Sequence, residues 1–157
     1  MKKIKYIKGD ATNPIGEGNK IIVHVCNDIG GWGKGFVLAI SKKWSEPEKE
    51  YKAWYKSREN FELGGVQFVK VESNLWIANL IGQHKIRKDE QGNPPIRYKA
   101  IEEGIQKVAK EASAIKASVH MPRIGCGLAG GKWENIEPIL EKHLTKNEIE
   151  TIVYDFE

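Results

Sequence analysis

The chain has 157 residues, of which 40% are hydrophobic and 29% charged, values typical of a single globular domain. Its net charge of +4 suits an anionic ligand and does not favour direct nucleic-acid binding. No apolar stretch approaches the roughly 18 residues of a membrane span, and no apolar signal core follows the N-terminal lysines. The two cysteines, Cys26 and Cys126, have neither zinc spacing nor a disulfide-rich context. We expect a cytoplasmic protein of one domain, residues 1–157, with no metal, no cofactor and no membrane contact.

The N-terminal half of the chain predicts two strands, two helical segments and a hairpin. Residues 4–8 alternate apolar and polar side chains, as in a half-exposed strand, whereas residues 20–26 do not alternate and predict a buried one. A helix is expected from Lys34 to Trp44, followed by a second helical segment that Ser45 caps. Two further apolar runs predict a hairpin, with strands at residues 66–71 and 75–81.

The C-terminal half begins with a polar loop at residues 82–95, the longest loop that the sequence predicts. A helix follows, because apolar side chains recur at spacings of four, three and four: Ile101, Ile105, Val108 and Ala112. Residues 117–122 and 149–154 predict two strands, with an amphipathic helix between them. Strands that alternate with helices predict an α/β fold, a three-layer α/β/α sandwich with a mixed central sheet.

Two glycine-rich stretches follow predicted strands and lead into predicted helices. The first glycine loop, residues 28–35, has glycines at 30, 31, 33 and 35, and the second glycine loop, residues 123–131, has them at 125, 127, 130 and 131. Glycine allows positive φ and lets a ligand approach the main chain closely. Such a turn leaves amide N–H groups unpaired at a helix N-terminus, which suits a phosphate. A single loop of this kind is also explained as a tight turn. Two such loops predict a site that binds a diphosphate from both sides.

Four stretches occur in a fixed order: Gly-Asp-Ala at residues 9–11, the loop and helix start at 27–39, Met-Pro-Arg-Ile-Gly-Cys-Gly at 121–127, and Ile-Val-Tyr at 152–154. In this order they resemble the macro domain family, whose members bind ADP-ribose. Within that family, residues 23–27, 31–33 and 133–134 are most similar to two groups, the fungal ADP-ribose-1″-phosphate phosphatase and the terminal ADP-ribose protein glycohydrolase. The resemblance implies a single macro domain with ADP-ribose in a cleft between the two glycine loops.

The resemblance also gives each part of the ligand a place. Asp10 would accept a hydrogen bond from the adenine amino group, and Phe156 or Tyr154 would stack on the adenine. Asn27 would hold the distal ribose hydroxyls, and amides of the two loops would bind the phosphates. Trp32 would either form a wall of the distal ribose site or pack in the core. The residues expected to bind ADP-ribose are Gly9, Asp10, Ala11, Asn27, Trp32, Gly33, Lys34, Gly35, Ile124, Gly125, Cys126, Gly127, Leu128 and Phe156.

The catalytic residues of the two groups match this chain only in part. By alignment, the lysine and aspartate of the glycohydrolase fall at Gln83 and Ala129, which are unable to form a Schiff base or carry a proton. The histidine implicated in the phosphatase matches His24, although a histidine in a buried strand is more often a hydrogen-bonded core residue than a catalyst. Asp28, on the first glycine loop, is better placed to activate water. The expected catalytic residues are therefore Asp28, Asn27 and His24, while Gln83 and His84 either border the distal ribose or lie in a solvated loop.

These features favour hydrolysis at the distal ribose, with ADP-ribose-1″-phosphate as the substrate. A second hypothesis is a hydrolase that removes ADP-ribose from a modified macromolecule with a positioned water and without a lysine. A third is a reader that binds ADP-ribose and catalyses nothing. The expected partners are accordingly ADP-ribose or ADP-ribose-1″-phosphate, together with ADP-ribosylated macromolecules.

Overall fold

The computed structural model describes residues 2–156, which form six strands and four α-helices. The strands are β1 (Lys5–Lys8), β2 (Lys20–Asn27), β3 (Val66–Glu72), β4 (Leu75–Gln83), β5 (Ser118–Met121) and β6 (Thr151–Asp155). The helices are α1 (Phe36–Lys43), α2 (Glu46–Ser57), α3 (Tyr98–Ile115) and α4 (Trp133–His143), and a short 3₁₀ turn spans Thr145–Asn147.

The six strands form one mixed sheet in the order β1–β6–β5–β2–β4–β3. Neighbouring strands are parallel except β3 and β4, which pair antiparallel as the predicted hairpin. Because parallel strands point the same way, the segments after β1, β6, β5, β2 and β4 meet at one edge of the sheet, in that order. The predicted fold class is confirmed, and this edge gathers both glycine loops.

The central strand β2 explains why helices cover both faces of the sheet. Ile21 and Val23 belong to the apolar cluster that contains the inward side chains of α3 and α4, whereas Ile22 and Cys26 belong to the cluster of α1 and α2. Successive side chains of a strand point to opposite faces. A strand that is apolar on both faces therefore needs two helical layers, as the sequence predicted.

Two of the helices, α1 and α3, begin later than the sequence predicted. α1 begins at Phe36 instead of Lys34, since Gly35 has φ of 84°, a value that a right-handed helix excludes. β4 continues to Gln83, which forms a bridge with Ile96, so the residues before α3 stay extended and the helix begins at Tyr98. Across residues 2–156, no helix combines the length and the apolar composition that crossing a membrane requires.

Candidate functional site

A cavity of about 1500 Å³ opens at the edge of the sheet where the parallel strands end. Its walls are the first glycine loop after β2, residues 83–91 at and beyond the end of β4, and the second glycine loop after β5. The three strands that precede these walls, β4, β2 and β5, are neighbours in the sheet, with β2 in the middle. The cavity therefore lies between the two glycine loops, and β2 lies directly beneath it.

Asn27 shapes the first glycine loop from within. Its side-chain oxygen accepts hydrogen bonds from the amides of Ile29 at 3.0 Å and Gly31 at 2.9 Å, and its amide nitrogen donates to the Gly31 carbonyl at 2.9 Å. The buried Tyr51 hydroxyl donates to the Asn27 main-chain oxygen at 2.6 Å. Asn27 lines the cavity, but its amide is already engaged in these bonds. Its contact with a ribose stays a prediction.

Gly33 and Gly127 are glycines for which the fold itself gives no reason. Neither has a positive φ, and a Cβ added at either position would meet no atom within 4 Å. Each of the other glycines either has a positive φ or would place its Cβ within 4 Å of a neighbouring atom. Gly33 and Gly127 lie on opposite loops and both line the cavity. Their missing side chains leave main chain open to the cavity from two sides.

The main-chain amides of the two loops differ in how many remain free. In the part of the chain that the structure describes, no protein acceptor takes the N–H groups of residues 33–35 or of Gly127. The amide of Cys126 donates to the Arg123 carbonyl at 3.3 Å, and its thiol, whose pKa burial raises, is only half-buried. The free amides point to the anion-binding character expected of such loops.

Two apolar residues set the shape of the second glycine loop. Ile124 is buried beneath the loop, whereas Leu128 is 66% exposed at the cavity mouth. Leu128 reaches across to the first loop, where its Cδ1 lies 3.5 Å from the Cβ position of Gly35. Gly125 has φ of 73°, so the turn itself requires a glycine there. The two loops thus approach each other over the cavity.

The residues expected at the adenine lie beside the cavity at the same edge of the sheet. Gly9, Asp10 and Ala11 follow β1, and Phe156 follows β6; of the described residues, none of these four lines the cavity itself. One oxygen of Asp10 accepts hydrogen bonds from the amide and hydroxyl of Thr12 at 2.8 and 2.7 Å. Burial raises the pKa of Asp10, but these hydrogen bonds and the charge of Lys43 together lower it by more, so the carboxylate form is favoured.

The two aromatic candidates for stacking have different surroundings. Phe156 is 79% exposed, whereas Tyr154 is buried and its hydroxyl contacts His120 Nδ1 at 2.7 Å and accepts the Ile15 amide at 3.0 Å. Tyr154 therefore belongs to the core, which leaves Phe156 as the ring available to a ligand.

His24 lies in the buried floor of the cavity. Its Nε2 is 2.5 Å from the side-chain oxygen of Asn79, and Trp32 and Phe36 pack against its ring at centroid distances of 5.3 and 6.1 Å. Burial lowers the pKa of His24 to about 4, so the ring is neutral at pH 7. Trp32 is itself buried and donates to the Ser41 hydroxyl at 2.8 Å. Both residues behave as core side chains that reach the cavity from below.

Asp28 faces the segment after β4. One of its carboxylate oxygens accepts a hydrogen bond from His84 Nδ1 at 2.7 Å, and the other accepts the Lys85 amide at 2.7 Å. Of these described residues, His84 lines the cavity and Asp28 does not. Both oxygens of Asp28 are thus engaged with residues 84 and 85, and the expectation that Asp28 activates water stays a prediction.

The contact between His84 and Asp28 was not predicted from the sequence, although each residue was a candidate for the site. The signal was their placement at the ends of two apolar strands, which become neighbours only once β2 and β4 pair. Gln83 and Ala129 both line the cavity, and the Gln83 amide donates to the Lys85 carbonyl at 2.9 Å. Among residues 2–156, no three His, Cys, Asp or Glu side chains lie close enough together to hold a metal ion.

The fold and the cavity together define a class of protein. A mixed six-stranded sheet lies between two helical layers, and a cleft between two glycine loops opens at its edge. No protein-family model matches the sequence. The chain is 31% identical over 152 residues to the ADP-ribose 1″-phosphate phosphatase of Candida albicans, an alignment that covers 88% of this chain and 92% of that protein. The chain belongs to the macro domain family.

Other similar proteins have this architecture or contain a matching segment. A macrodomain protein from Streptomyces coelicolor is 50% identical, with a TM-score of 0.88 and coverage of 98% of this chain and 99% of that one. A protein of unknown function from Bacteroides thetaiotaomicron is 63% identical, with a TM-score of 0.97 and coverage of 98% of both chains. The mouse chromodomain-helicase-DNA-binding protein 1-like is 35% identical over 162 residues. That alignment covers 98% of this chain, which spans only 18% of the mouse protein's length.

Proposed function

We propose that the cleft binds ADP-ribose or ADP-ribose-1″-phosphate and that the protein hydrolyses a group attached to the distal ribose. The observation that carries the binding proposal is the pair Gly33 and Gly127. A diphosphate that lies against both main chains explains why neither position carries a side chain. The free amides at residues 33–35 and at Gly127 supply its hydrogen bonds.

The order of the strands gives the ligand a direction. From β1 to β4, five parallel strands at about 4.8 Å spacing span roughly 19 Å. Asp10 and Phe156 stand at one end of this span, and residues 83–84 stand at the other. With the adenine at Asp10 and the diphosphate between the two loops, the distal ribose comes to lie over Asn27 and the end of β4. This is the position that the proposed function requires.

Hydrolysis by water is supported by the relatives and by the residues at two positions of the cavity. The Candida albicans relative, which aligns over 92% of its length, is named an ADP-ribose 1″-phosphate phosphatase. Gln83 and Ala129 line the cavity at the positions where a glycohydrolase would have its lysine and aspartate, so a Schiff-base route has no nucleophile there. We therefore propose direct attack by water, with inorganic phosphate and ADP-ribose as products.

Phosphate release tests this proposal. The purified protein is incubated with ADP-ribose-1″-phosphate, and inorganic phosphate is measured over time against a Gly127→Val variant as the blank. We expect phosphate from the unmodified protein and very little from the variant, since its side chain fills the diphosphate site. Equal, background-level release from both proteins would reject the phosphatase activity.

A second candidate substrate is an ADP-ribosylated macromolecule. The cavity mouth carries three exposed apolar side chains, Ile29, Ile86 and Leu128, at 42%, 46% and 66% exposure. A small soluble nucleotide gives them no partner, whereas a larger conjugate covers them. Incubation with ADP-ribosylated protein, followed by detection of free ADP-ribose, tests this candidate. Binding of ADP-ribose without turnover of either substrate would make the protein a reader.

A further inference from the structure

The segment after β4 brings a second polar side chain to the distal end of the cavity. Because β4 is the neighbour of β2, residues 84–86 lie beside the start of the first glycine loop. Ile86 Cδ1 lies 2.9 Å from the Cβ position of Gly31, and the His84 amide donates to the Pro95 carbonyl at 2.8 Å. His84 is therefore held against the first loop, on the side away from the second.

Asp28 fixes the orientation and the tautomer of the His84 ring. A carboxylate oxygen is an acceptor, so the 2.7 Å contact requires the hydrogen on His84 Nδ1. The other Asp28 oxygen accepts the Lys85 amide, which keeps the carboxylate from turning away. In the neutral ring, Nε2 then carries the lone pair, and no described residue donates to it. The His84 side chain is 45% exposed and the Asp28 side chain 16%, so the imidazole reaches water while its partner is sheltered.

The other polar residues near the distal ribose are less able to act as a base. His24 is neutral and its Nε2 is engaged with Asn79, while its Nδ1 has no partner but is buried away from water. The amide of Asn27 is engaged within the first loop and carries no basic lone pair. The Gln83 amide has no basic lone pair either. Among these side chains of residues 2–156, His84 is the one whose free, oriented nitrogen is also open to water.

We infer that His84 Nε2 is the general base of the hydrolysis and that Asp28 is its positioning residue, an assignment that rests on the proposed function. Nε2 takes a proton from water while the water oxygen forms a bond to the phosphorus of ADP-ribose-1″-phosphate. The bond between phosphorus and the ribose O1″ breaks, and its electron pair stays on O1″. The imidazolium returns the proton to O1″, so ADP-ribose and inorganic phosphate leave and the neutral ring is regenerated. This is the arrangement in which a carboxylate orients a histidine and the histidine moves the proton.

The test compares variants of His84 and Asp28 in the phosphate-release assay, with ADP-ribose affinity measured in parallel. We expect His84→Ala to lower kcat by about 10²- to 10⁴-fold, the range for a lost general base, with little change in ADP-ribose affinity. Added imidazole should restore part of the rate of His84→Ala. Asp28→Asn should lower kcat more than it raises KM, and Asp28→Glu should recover part of the loss.

The matched control is a second histidine–carboxylate pair outside the cavity. His143 Nε2 lies 2.8 Å from Glu102 Oε2, and neither residue lines the cavity. His143→Gln should therefore leave kcat unchanged. An unmodified protein that turns over, with a folded His84→Ala variant of equal kcat, would overturn the assignment of the base and leave the proposed function intact. An unmodified protein that binds ADP-ribose and releases no phosphate would overturn both.

Discussion

The cavity has a floor and a surface, and their polar groups differ in whether they are hydrogen-bonded within the protein. The floor consists of the buried residues beneath the first glycine loop: His24, Asn27, Trp32 and Tyr51. The surface consists of the groups open to the cavity: Gly33, Gly127 and His84. Each floor side chain makes at least one hydrogen bond within the protein, and the one ring nitrogen of His24 that lacks a partner is shielded from water. The surface groups instead keep free amides or a free ring nitrogen open to the cavity. Changes in the floor should therefore alter stability, and changes at the surface should alter binding or turnover.

We expect the largest effect from acid, which should lower the free energy of unfolding through the buried histidines. Burial lowers the pKa of His24 to about 4, and burial together with Lys20 lowers that of His120 to about 4. In the unfolded chain both titrate near 6.5, so the unfolded state takes up protons first as the pH falls. Stability is full above pH 6.5 and falls as the pH drops toward 4, by about 3 kcal/mol for each histidine.

Urea unfolding at several pH values between 7.5 and 4 measures this loss. His24→Gln should remove roughly half of the slope, because one of the two buried rings is then gone. A free energy of unfolding that stays level from pH 7 to pH 4.5 would show that neither ring is as buried as the structure has it.

Gly127→Val should abolish most ligand binding at the cavity surface and leave the fold intact. Its side chain enters space that is open in the protein and, under the proposed function, belongs to a phosphate. We expect ADP-ribose affinity to fall by about 100-fold or more, since hydrogen bonds to a charged group contribute about 1.5–3 kcal/mol each. Calorimetry gives the affinity and thermal unfolding gives the stability, which should change little.

Gly131→Ala is the contrasting variant from the same loop. Its Cβ would lie 2.3 Å from Ile96 Cδ1 and 2.5 Å from the Gly125 carbonyl oxygen. This variant should lose about 1–3 kcal/mol of stability through overpacking. If Gly131→Ala is as stable as the unmodified protein and Gly127→Val is not, the distinction between the two kinds of glycine is wrong.

The sequence predicted the fold and the two loops because their signals are local. An apolar strand followed by glycines and a helix can be recognised within about 20 residues, and the order of such units determines the layers. The sequence does not distinguish a glycine that the turn requires from a glycine that a ligand requires. The sequence treats the four glycines of each loop alike, and only the backbone shows that Gly125 has φ of 73° whereas Gly127 needs no special φ.

The contact between Asp28 and His84 could not be predicted from the sequence for a different reason. The two residues are 56 positions apart, and their contact depends on β2 and β4 becoming neighbours. The internal hydrogen bonds of Asn27 are hidden for a similar reason. Tyr51, which supports them, arrives from α2, and no sequence pattern reports where its hydroxyl points.

Asp10→Ala should weaken ADP-ribose binding by about 1–3 kcal/mol, the range for a hydrogen bond lost at a charged group. Asp10 lies at the adenine end, beyond the cavity wall, so this variant tests the direction given to the ligand. Asp10→Asn, which keeps an acceptor for Thr12, serves as the control for local structure. Calorimetry measures both variants, and an unchanged affinity for Asp10→Ala would put the adenine elsewhere.

Tyr51→Phe should have the smallest effect, about 1 kcal/mol of stability, because it removes one hydrogen bond beneath the first glycine loop. ADP-ribose affinity should fall by much less than in Gly127→Val, since the amides at residues 33–35 remain. Urea unfolding and calorimetry measure the two effects. A stability equal to that of the unmodified protein would mean that Tyr51 does not brace Asn27.

The central claim is that the two glycine loops hold a diphosphate, and the relative affinity of the protein for ADP-ribose and adenosine tests it most directly. Both ligands carry the adenine and its ribose, but only ADP-ribose carries the diphosphate and the distal ribose. Calorimetric titration of each into the unmodified protein should give an affinity for adenosine that is about 100-fold weaker or more, given the charge-assisted hydrogen bonds it lacks. Equal affinities for the two ligands would contradict the account, because the loops would then contribute nothing to binding.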